Sequence, residues 1–300
     1  MHLPQQLSDV AAITGSRLAA LLDMQIQLGT PERLVAAMRH AVLTGGKRFR
    51  PFLLIQTAGL FGVPPERSVD AAAAIECVHC YSLVHDDLPS MDNDKLRRGQ
   101  PTVWAAYDEW TAILVGDALQ TLAFEILSSP TTHQDGAVRS VLIGVLAKAA
   151  GAAGMVGGQA LDLEAERLQG SGRCDADHIA NLQAMKTGRL IKAACEMGAI
   201  LGGASATERA ALADYGDALG LAFQISDDLL DAEGGTEAVG KATGKDAAAG
   251  KATLVGLLGA SAARVALDRT VAQAVSCLSP FGDSASPLIE AAQFMGRRTS

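Results

Sequence analysis

Residues 82–99 read Ser82-Leu83-Val84-His85-Asp86-Asp87-Leu88-Pro89-Ser90-Met91-Asp92-Asn93-Asp94-Lys95-Leu96-Arg97-Arg98-Gly99. The apolar lead-in, Ala71 to Val84, has the length and composition of a buried helix, and it ends in Asp86 and Asp87. Packing alone does not call for this crowd of carboxylates. They repel one another unless something positive sits between them, and a hard cation such as Mg²⁺ is the usual neutraliser. Mg²⁺ is commonly held by one or two carboxylates together with substrate phosphates. Guanidinium groups at Arg97 and Arg98 suit those phosphates, because they grip phosphate oxygens as a fork. The stretch therefore predicts a helix whose C-terminal end serves a Mg²⁺-bridged diphosphate.

A second acidic stretch, Gln224-Ile225-Ser226-Asp227-Asp228-Leu229-Leu230-Asp231, lies far downstream. On a helix, Asp227 and Asp231 stand at i and i+4, on one face and one turn apart. Asp86 and Asp92 are spaced i and i+6, which a straight helix does not align. Pro89 disfavours helical geometry at Leu88, so the chain is expected to turn there and bring Asp92 back towards Asp86. Two such clusters can hold one metal–diphosphate group from both sides.

At these residues the sequence resembles the trans-isoprenyl diphosphate synthases, of the bacterial farnesyl diphosphate synthase type. The first aspartate-rich motif is Asp86-Asp87-x-x-x-x-Asp92, followed by Arg97-Arg98-Gly99, and the second is Asp227-Asp228-x-x-Asp231. Gly45-Gly46-Lys47-Arg48-Phe49-Arg50-Pro51, Gly157-Gly158-Gln159, Lys186-Thr187-Gly188 and a loop from Gly240-Lys241 to Lys251 appear in the same order. One Asp-Asp pair is a weak signal; the ordered set is specific.

The resemblance implies an all-α helical bundle around a deep central cavity. It implies head-to-tail condensation of isopentenyl diphosphate with an allylic diphosphate, dependent on Mg²⁺ held by Asp86, Asp87, Asp92, Asp227, Asp228 and Asp231. By the same resemblance Gly46, Lys47, Arg50, His79 and Arg98 bind isopentenyl diphosphate, and Arg97, Lys186, Lys241 and Lys251 face the departing pyrophosphate. Thr187 and Gln224 become dipoles near the allylic cation. Tyr81 and Ser82, five and four residues before Asp86, become the chain-length positions, and a bulky Tyr81 beside a small Ser82 resembles the fifteen-carbon enzymes. A homodimer is likewise implied.

Composition agrees with that frame. The chain has 300 residues, 49% hydrophobic and only 4% aromatic, and its abundant alanine and leucine favour helix. No repeat or composition shift divides it, so residues 1–300 are expected to form a single domain. A net charge of −8 argues against general nucleic-acid binding. Five cysteines in no dense framework suit a reducing cytoplasm. Cys77-x-x-Cys80 reads as two small core residues, since no second pair completes a zinc site. The N-terminus lacks a signal pattern, and Asp117, Glu125, Arg139 and Lys148 interrupt the most apolar region, so no membrane span is expected.

Helices are expected over residues 1–40 with Thr30 capping the second, over 68–88, 104–128, 138–153, from Asp177 and over 208–230. Asp117, in the apolar run of 104–128, is expected to be paired, with no partner named by the sequence. The glycine-rich 154–159 has no Walker or Rossmann spacing and points to close helix approach, with Gln159 and Asp162 near the site. His79 has two readings, a satisfied core histidine or a substrate contact two turns before Asp86. His85 is placed to orient an aspartate. Residues 232–251 read as a lid, with Lys241, Lys245 and Lys251 closing over diphosphate and Asp246 pairing with one of them. Three rival functions stay open: a geranyl or geranylgeranyl synthase, a terpene cyclase, and a non-catalytic partner subunit. The cyclase would need a serine and a glutamate where Asp231 and Gly235 stand.

Overall fold

The computed structural model describes residues 3–167, 176–233, 255–256 and 259–297. They divide between two compact units, Met1–Ile143 and Gly144–Ser300.

The first unit is built of α1 (Leu3–Gln27), α2 (Glu32–Leu43), α3 (Phe49–Gly59), α4 (Pro65–Asp86), α5 (Val103–Ala106) and α6 (Glu109–Ser128). Pro64 is extended and Pro65 occupies the first turn of α4, where its missing N–H costs nothing. From Ala71 to Val78 every α4 residue is buried. Four consecutive alanines let neighbouring backbones come close, and α4 is the helix against which α3 and α6 pack. Phe52, Leu53 and Leu54 of α3 and Val115, Leu119 and Leu127 of α6 fill this core. Full burial of one Leu or Phe contributes about 1.5–3 kcal/mol against about 1 for a hydrogen bond. The apolar seam therefore fixes where α4 lies, and the polar groups at its C-terminal end are carried by it.

The second unit holds α8 (Met155–Arg167), α9 (Ala176–Gln183), a π-helical turn (Ala184–Gly188), α10 (Arg189–Leu201), α11 (Ala206–Glu233), α12 (Ala260–Cys277), a 3₁₀ segment (Ser279–Ala285) and α13 (Ser286–Arg297). The unit boundary falls within α7 (Gly136–Ala150). Helix α11 packs on α10, on the π turn and on α12. Its buried Tyr215 donates a hydrogen bond to the Leu288 carbonyl of α13 at 2.8 Å.

Three local expectations change. Pro31, not Thr30, caps α2, and the Thr30 hydroxyl donates to Gln25 Oε1 at 3.2 Å. The expected helix over 104–128 breaks at Tyr107–Asp108, because Asp108 is extended and its carboxylate accepts the Thr111 N–H at 2.9 Å, a helix N-cap. Asp117 is exposed rather than paired, so water solvates it. The glycine-rich 154–159 is largely the first turns of α8, and it makes the close approach expected of it: a Cβ on Gly158 would meet the Lys186 backbone. One two-residue antiparallel ladder, Leu96 opposite Pro101 and Arg97 opposite Gln100, is added to the helices.

Two stretches, Glu109–Ser128 and Gly136–Ala165, are long and apolar enough by length and composition to cross a membrane. Half of the most apolar window of Glu109–Ser128 is buried inside the fold, which is the behaviour of a core helix.

Candidate active site

Helix α4 ends where the acidic motif begins. The chain then folds back on itself, as Pro89 suggests. The Asp92 N–H donates to the Asp86 carbonyl at 2.8 Å and the Asp94 N–H to the Asp87 carbonyl at 3.1 Å. Asn93 takes a left-handed conformation, φ 54°, to complete the turn. Asp92 is thus returned to Asp86 through the backbone, the i and i+6 spacing notwithstanding. Asp86 and Asp92 are half-buried, while Asp87 is buried. Arg97 Nε donates to both Asp87 oxygens, at 2.8 and 3.0 Å. Burial lowers the Arg97 pKa, but its bond to Asp87 and the charges of Asp87, Asp86 and Asp94 outweigh that and raise it. Trp104 Nε1 and the Thr102 hydroxyl both donate to the Asp94 carbonyl, at 2.8 and 2.9 Å, pinning the far side of the turn.

A basic group gathers beside it. Gly45 and Gly46 take φ 91° and 118°, values open to glycine. Arg98 Nη1 donates to the Gly45 carbonyl at 2.5 Å, and a Cβ on Gly46 would fall on the Arg98 guanidinium. Of the arginines in this loop, Arg48 is structural: it is buried, paired with Glu76 at 2.5 Å, and donates to the Val42 carbonyl. Arg50 differs. Its Nε is buried without a hydrogen-bond partner, and burial followed by the positive charge of Arg98 counteracts the pull of Glu76 to leave its pKa lowered. His79 stands in the field of this group. Burial first, then Arg50, Arg98, Arg97 and Arg48, push its imidazole well below the usual histidine range. A neutral His79 among four arginines is an arrangement for an anion. Lys47 is exposed at the rim. Cys77 and Cys80 are free, buried thiols, and burial first, then Glu76, pushes Cys80 up to about 12.

Tyr81, one turn before His85 on α4, is 4% exposed, and its hydroxyl is buried without a hydrogen-bond partner. Burial and the Asp86 charge push its phenol pKa up. The Ser82 hydroxyl donates to the His79 carbonyl at 2.9 Å. His85 is turned to α6, not to an aspartate: its Nε2 lies 3.0 Å from the Ile113 carbonyl.

In the second unit, α11 carries Asp227, Asp228 and Asp231. Asp227 is half-buried, Asp231 exposed and Asp228 buried. Asp228 is clamped by two amides, Gln183 Nε2 on one oxygen at 3.0 Å and Gln224 Nε2 on the other at 2.9 Å. Gln183 was not singled out by sequence. It sits in a polar-apolar mix at the end of α9, and the π turn that aims it has no sequence signature. That turn also carries Lys186 and the half-buried Thr187. Lys186 Nζ pairs with Asp162 Oδ2 of α8 at 2.6 Å. Gly158 makes this possible: its Cα faces the Lys186 backbone so closely that a Cβ would lie 2.6 Å from the Lys186 Cα. The polar side-chain atoms of Gln159 are buried without partners. Lys241, Lys245, Asp246 and Lys251 lie outside the described residues.

Among the described residues no three His, Cys, Asp or Glu side chains converge as a metal group. The donor set still fits Mg²⁺, which prefers hard carboxylate oxygens and takes much of its shell from substrate phosphates and water.

A nearly all-helical chain with two acidic motifs, the first held by Arg97 and the second by two amides, defines the prenyl diphosphate-handling class of α-helical synthases. Residues 31–277 match the polyprenyl synthetase family, and the chain belongs to it. It is similar to the farnesyl diphosphate synthase of Escherichia coli, 44% identical over 88% of this chain and 87% of that protein. It is also similar to geranylgeranyl pyrophosphate synthase 9, chloroplastic, of Arabidopsis thaliana, 40% identical over 93% of this chain and 78% of the plant protein. The crystal structure of an FPP/GFPP synthase from Zymomonas mobilis superposes with a TM-score of 0.87 at 44% identity, covering 98% of each chain. The fold is the all-α isoprenoid synthase fold.

Proposed function

We propose that the protein is a Mg²⁺-dependent prenyltransferase that condenses isopentenyl diphosphate head-to-tail with dimethylallyl or geranyl diphosphate, giving farnesyl diphosphate and pyrophosphate. One observation carries this reading. In both acidic motifs the middle aspartate, Asp87 or Asp228, is buried and held by side-chain N–H donors, while the outer ones are more open. A motif that pins its centre and presents its flanks is built to offer carboxylates to something outside the protein.

Asp86, Asp92, Asp227 and Asp231 would hold the metal, with Asp87 and Asp228 fixing the two segments that carry them. Mg²⁺ bound there supplies Lewis-acid neutralisation of the leaving pyrophosphate. Arg50, Arg98, Lys47 and the neutral His79 bind and orient isopentenyl diphosphate, with Gly46 giving Arg98 room. Arg97 holds Asp87, and Lys186, poised on Asp162, turns its ammonium to the allylic diphosphate; Lys241 and Lys251 complete the charge balance. Carbon–oxygen ionisation leaves an allylic cation, which Thr187 and Gln224 face with their oxygen dipoles. The double bond of isopentenyl diphosphate attacks it, and the proton lost goes to pyrophosphate. Tyr81, with Ser82, closes the floor on which the hydrocarbon chain ends, which favours the fifteen-carbon product over geranylgeranyl diphosphate.

The apolar side chains Trp110, Ile113 and Leu114, each about half exposed along one face of α6, support a homodimer built on that face. None of Cys77, Cys80, Cys195 and Cys277 forms a disulfide among the described residues, which supports a reducing, cytoplasmic setting. Incubating the pure protein with dimethylallyl and isopentenyl diphosphates and Mg²⁺, with products read by mass spectrometry, tests the reading. Farnesyl diphosphate is expected; a cyclised hydrocarbon or no product contradicts it.

A further inference from the structure

The hydroxyl of Tyr81 has no hydrogen-bond partner, so nothing polar fixes the orientation of its ring. The ring meets that of His85, at i+4 on the same face of α4. The two rings meet edge to face, centroids 5.9 Å apart at 74°. His85 is itself seated. Its Nε2 lies 3.0 Å from the Ile113 carbonyl, and because a carbonyl only accepts, Nε2 carries the proton and donates. The seat exists because residue 116 of α6 is glycine: a Cβ there would overlap the imidazole, with Nε2, Cδ2 and Cε1 its nearest atoms. Gly116 is buried and lies one turn beyond Ile113, so the notch and the acceptor are cut from the same stretch of α6.

We propose that His85 and Gly116 are positioning residues for product length: the imidazole, keyed into the Gly116 notch, holds the Tyr81 ring at the angle that stops chain growth. The inference rests on the reading of Tyr81 as the floor, and neither residue need touch substrate to act. His85→Ala removes the ring's edge-to-face partner. Gly116→Ala changes no residue of α4 yet evicts the imidazole from its seat. In both, Tyr81 gains freedom to swing aside and the floor drops.

The test compares wild type, His85→Ala, Gly116→Ala, the double variant and Tyr81→Ala. Each is purified and given dimethylallyl and isopentenyl diphosphates with Mg²⁺. The ratio of twenty-carbon to fifteen-carbon product is read by mass spectrometry, KM for isopentenyl diphosphate is measured, and circular dichroism checks the fold. His85→Ala and Gly116→Ala are expected to raise the ratio about 2- to 10-fold, the range that loss of one aromatic pair supports, with KM unchanged. The double variant is expected to match His85→Ala, since the added methyl then meets an empty notch and the two effects do not sum. A wild-type ratio in both single variants, while Tyr81→Ala lengthens the product, overturns the proposal and leaves the floor reading standing. A wild-type ratio in Tyr81→Ala overturns both.

Discussion

Arg97 and Asp87 hold one another across the turn that makes the first acidic motif: Nε meets both carboxylate oxygens, at 2.8 and 3.0 Å, and Nη2 lies 2.6 Å from Oδ1. The Asp87 side chain is 4% exposed and that of Arg97 16%, so this is a desolvated pair. Removing one partner of such a pair leaves the other buried and uncompensated, at a cost of about 3–5 kcal/mol. Arg97→Ala is therefore expected to destabilise the protein by about that much in urea unfolding, and Arg97→Lys by less, since an ammonium is a point charge and cannot reproduce the fork. A midpoint unmoved in Arg97→Ala would contradict the role given to this pair.

His79 makes stability pH-dependent. Its folded-state pKa lies well below the ordinary value of 6.5 because of burial and the surrounding arginines. The unfolded chain therefore binds more protons between those two values, and stability rises with pH there. The contribution is fully present above about pH 6.5 and is lost progressively as pH falls below it. Thermal unfolding of wild type and His79→Asn at pH 7.5 and pH 5 should show wild type losing more on acidification. Equal losses would mean that His79 titrates as it does in water. Inorganic pyrophosphate should narrow the difference, because an anion among the arginines favours the protonated ring.

The double amide clamp on Asp228 predicts that Gln183 matters although it stands outside both acidic motifs. Gln183→Ala strips one donor from a buried carboxylate, a loss of about 1–3 kcal/mol. Turnover should fall and the Mg²⁺ concentration for half-maximal activity should rise, with Gln183→Asn, one methylene shorter, in between. An unchanged Mg²⁺ response would show that the orientation of Asp228 does not matter.

At Gly158, α8 and the π turn meet backbone to backbone. Its Cβ would press on the Lys186 main chain, which cannot swing aside as a side-chain tip can. Gly158→Ala should cost about 1–3 kcal/mol of stability by overpacking and should separate Lys186 from Asp162, lowering turnover as well. Normal turnover with a lowered melting temperature would confine Gly158 to packing.

Much of this was legible in the chain. The alanine-rich run into Asp86, the i and i+4 pair Asp227 and Asp231, and Pro89 as the cause of a reversal were all readable, because each rests on local geometry. Less readable was which charges serve structure. Arg48, Arg50 and Arg98 look alike in sequence, yet one is consumed by Glu76, one keeps a buried unpartnered Nε, and one lies against a glycine. That division depends on neighbours remote in sequence. Asp117 and His85 were misjudged for the same reason: helix phase puts Asp117 in water, and a glycine on another helix draws His85 away from the aspartates. The π turn at Ala184–Gly188 had no signal at all, and with it Gln183 was missed.

The central claim is that the aspartates of both motifs serve one Mg²⁺-dependent transfer. The most direct measurement is the turnover of Asp86→Ala and of Asp227→Ala with dimethylallyl and isopentenyl diphosphates at saturating Mg²⁺, in protein shown by circular dichroism to keep its helices. Each variant is predicted to lose roughly 100-fold or more in turnover, the scale on which charge stabilisation at a leaving group operates. Near-wild-type turnover in either variant would contradict the account.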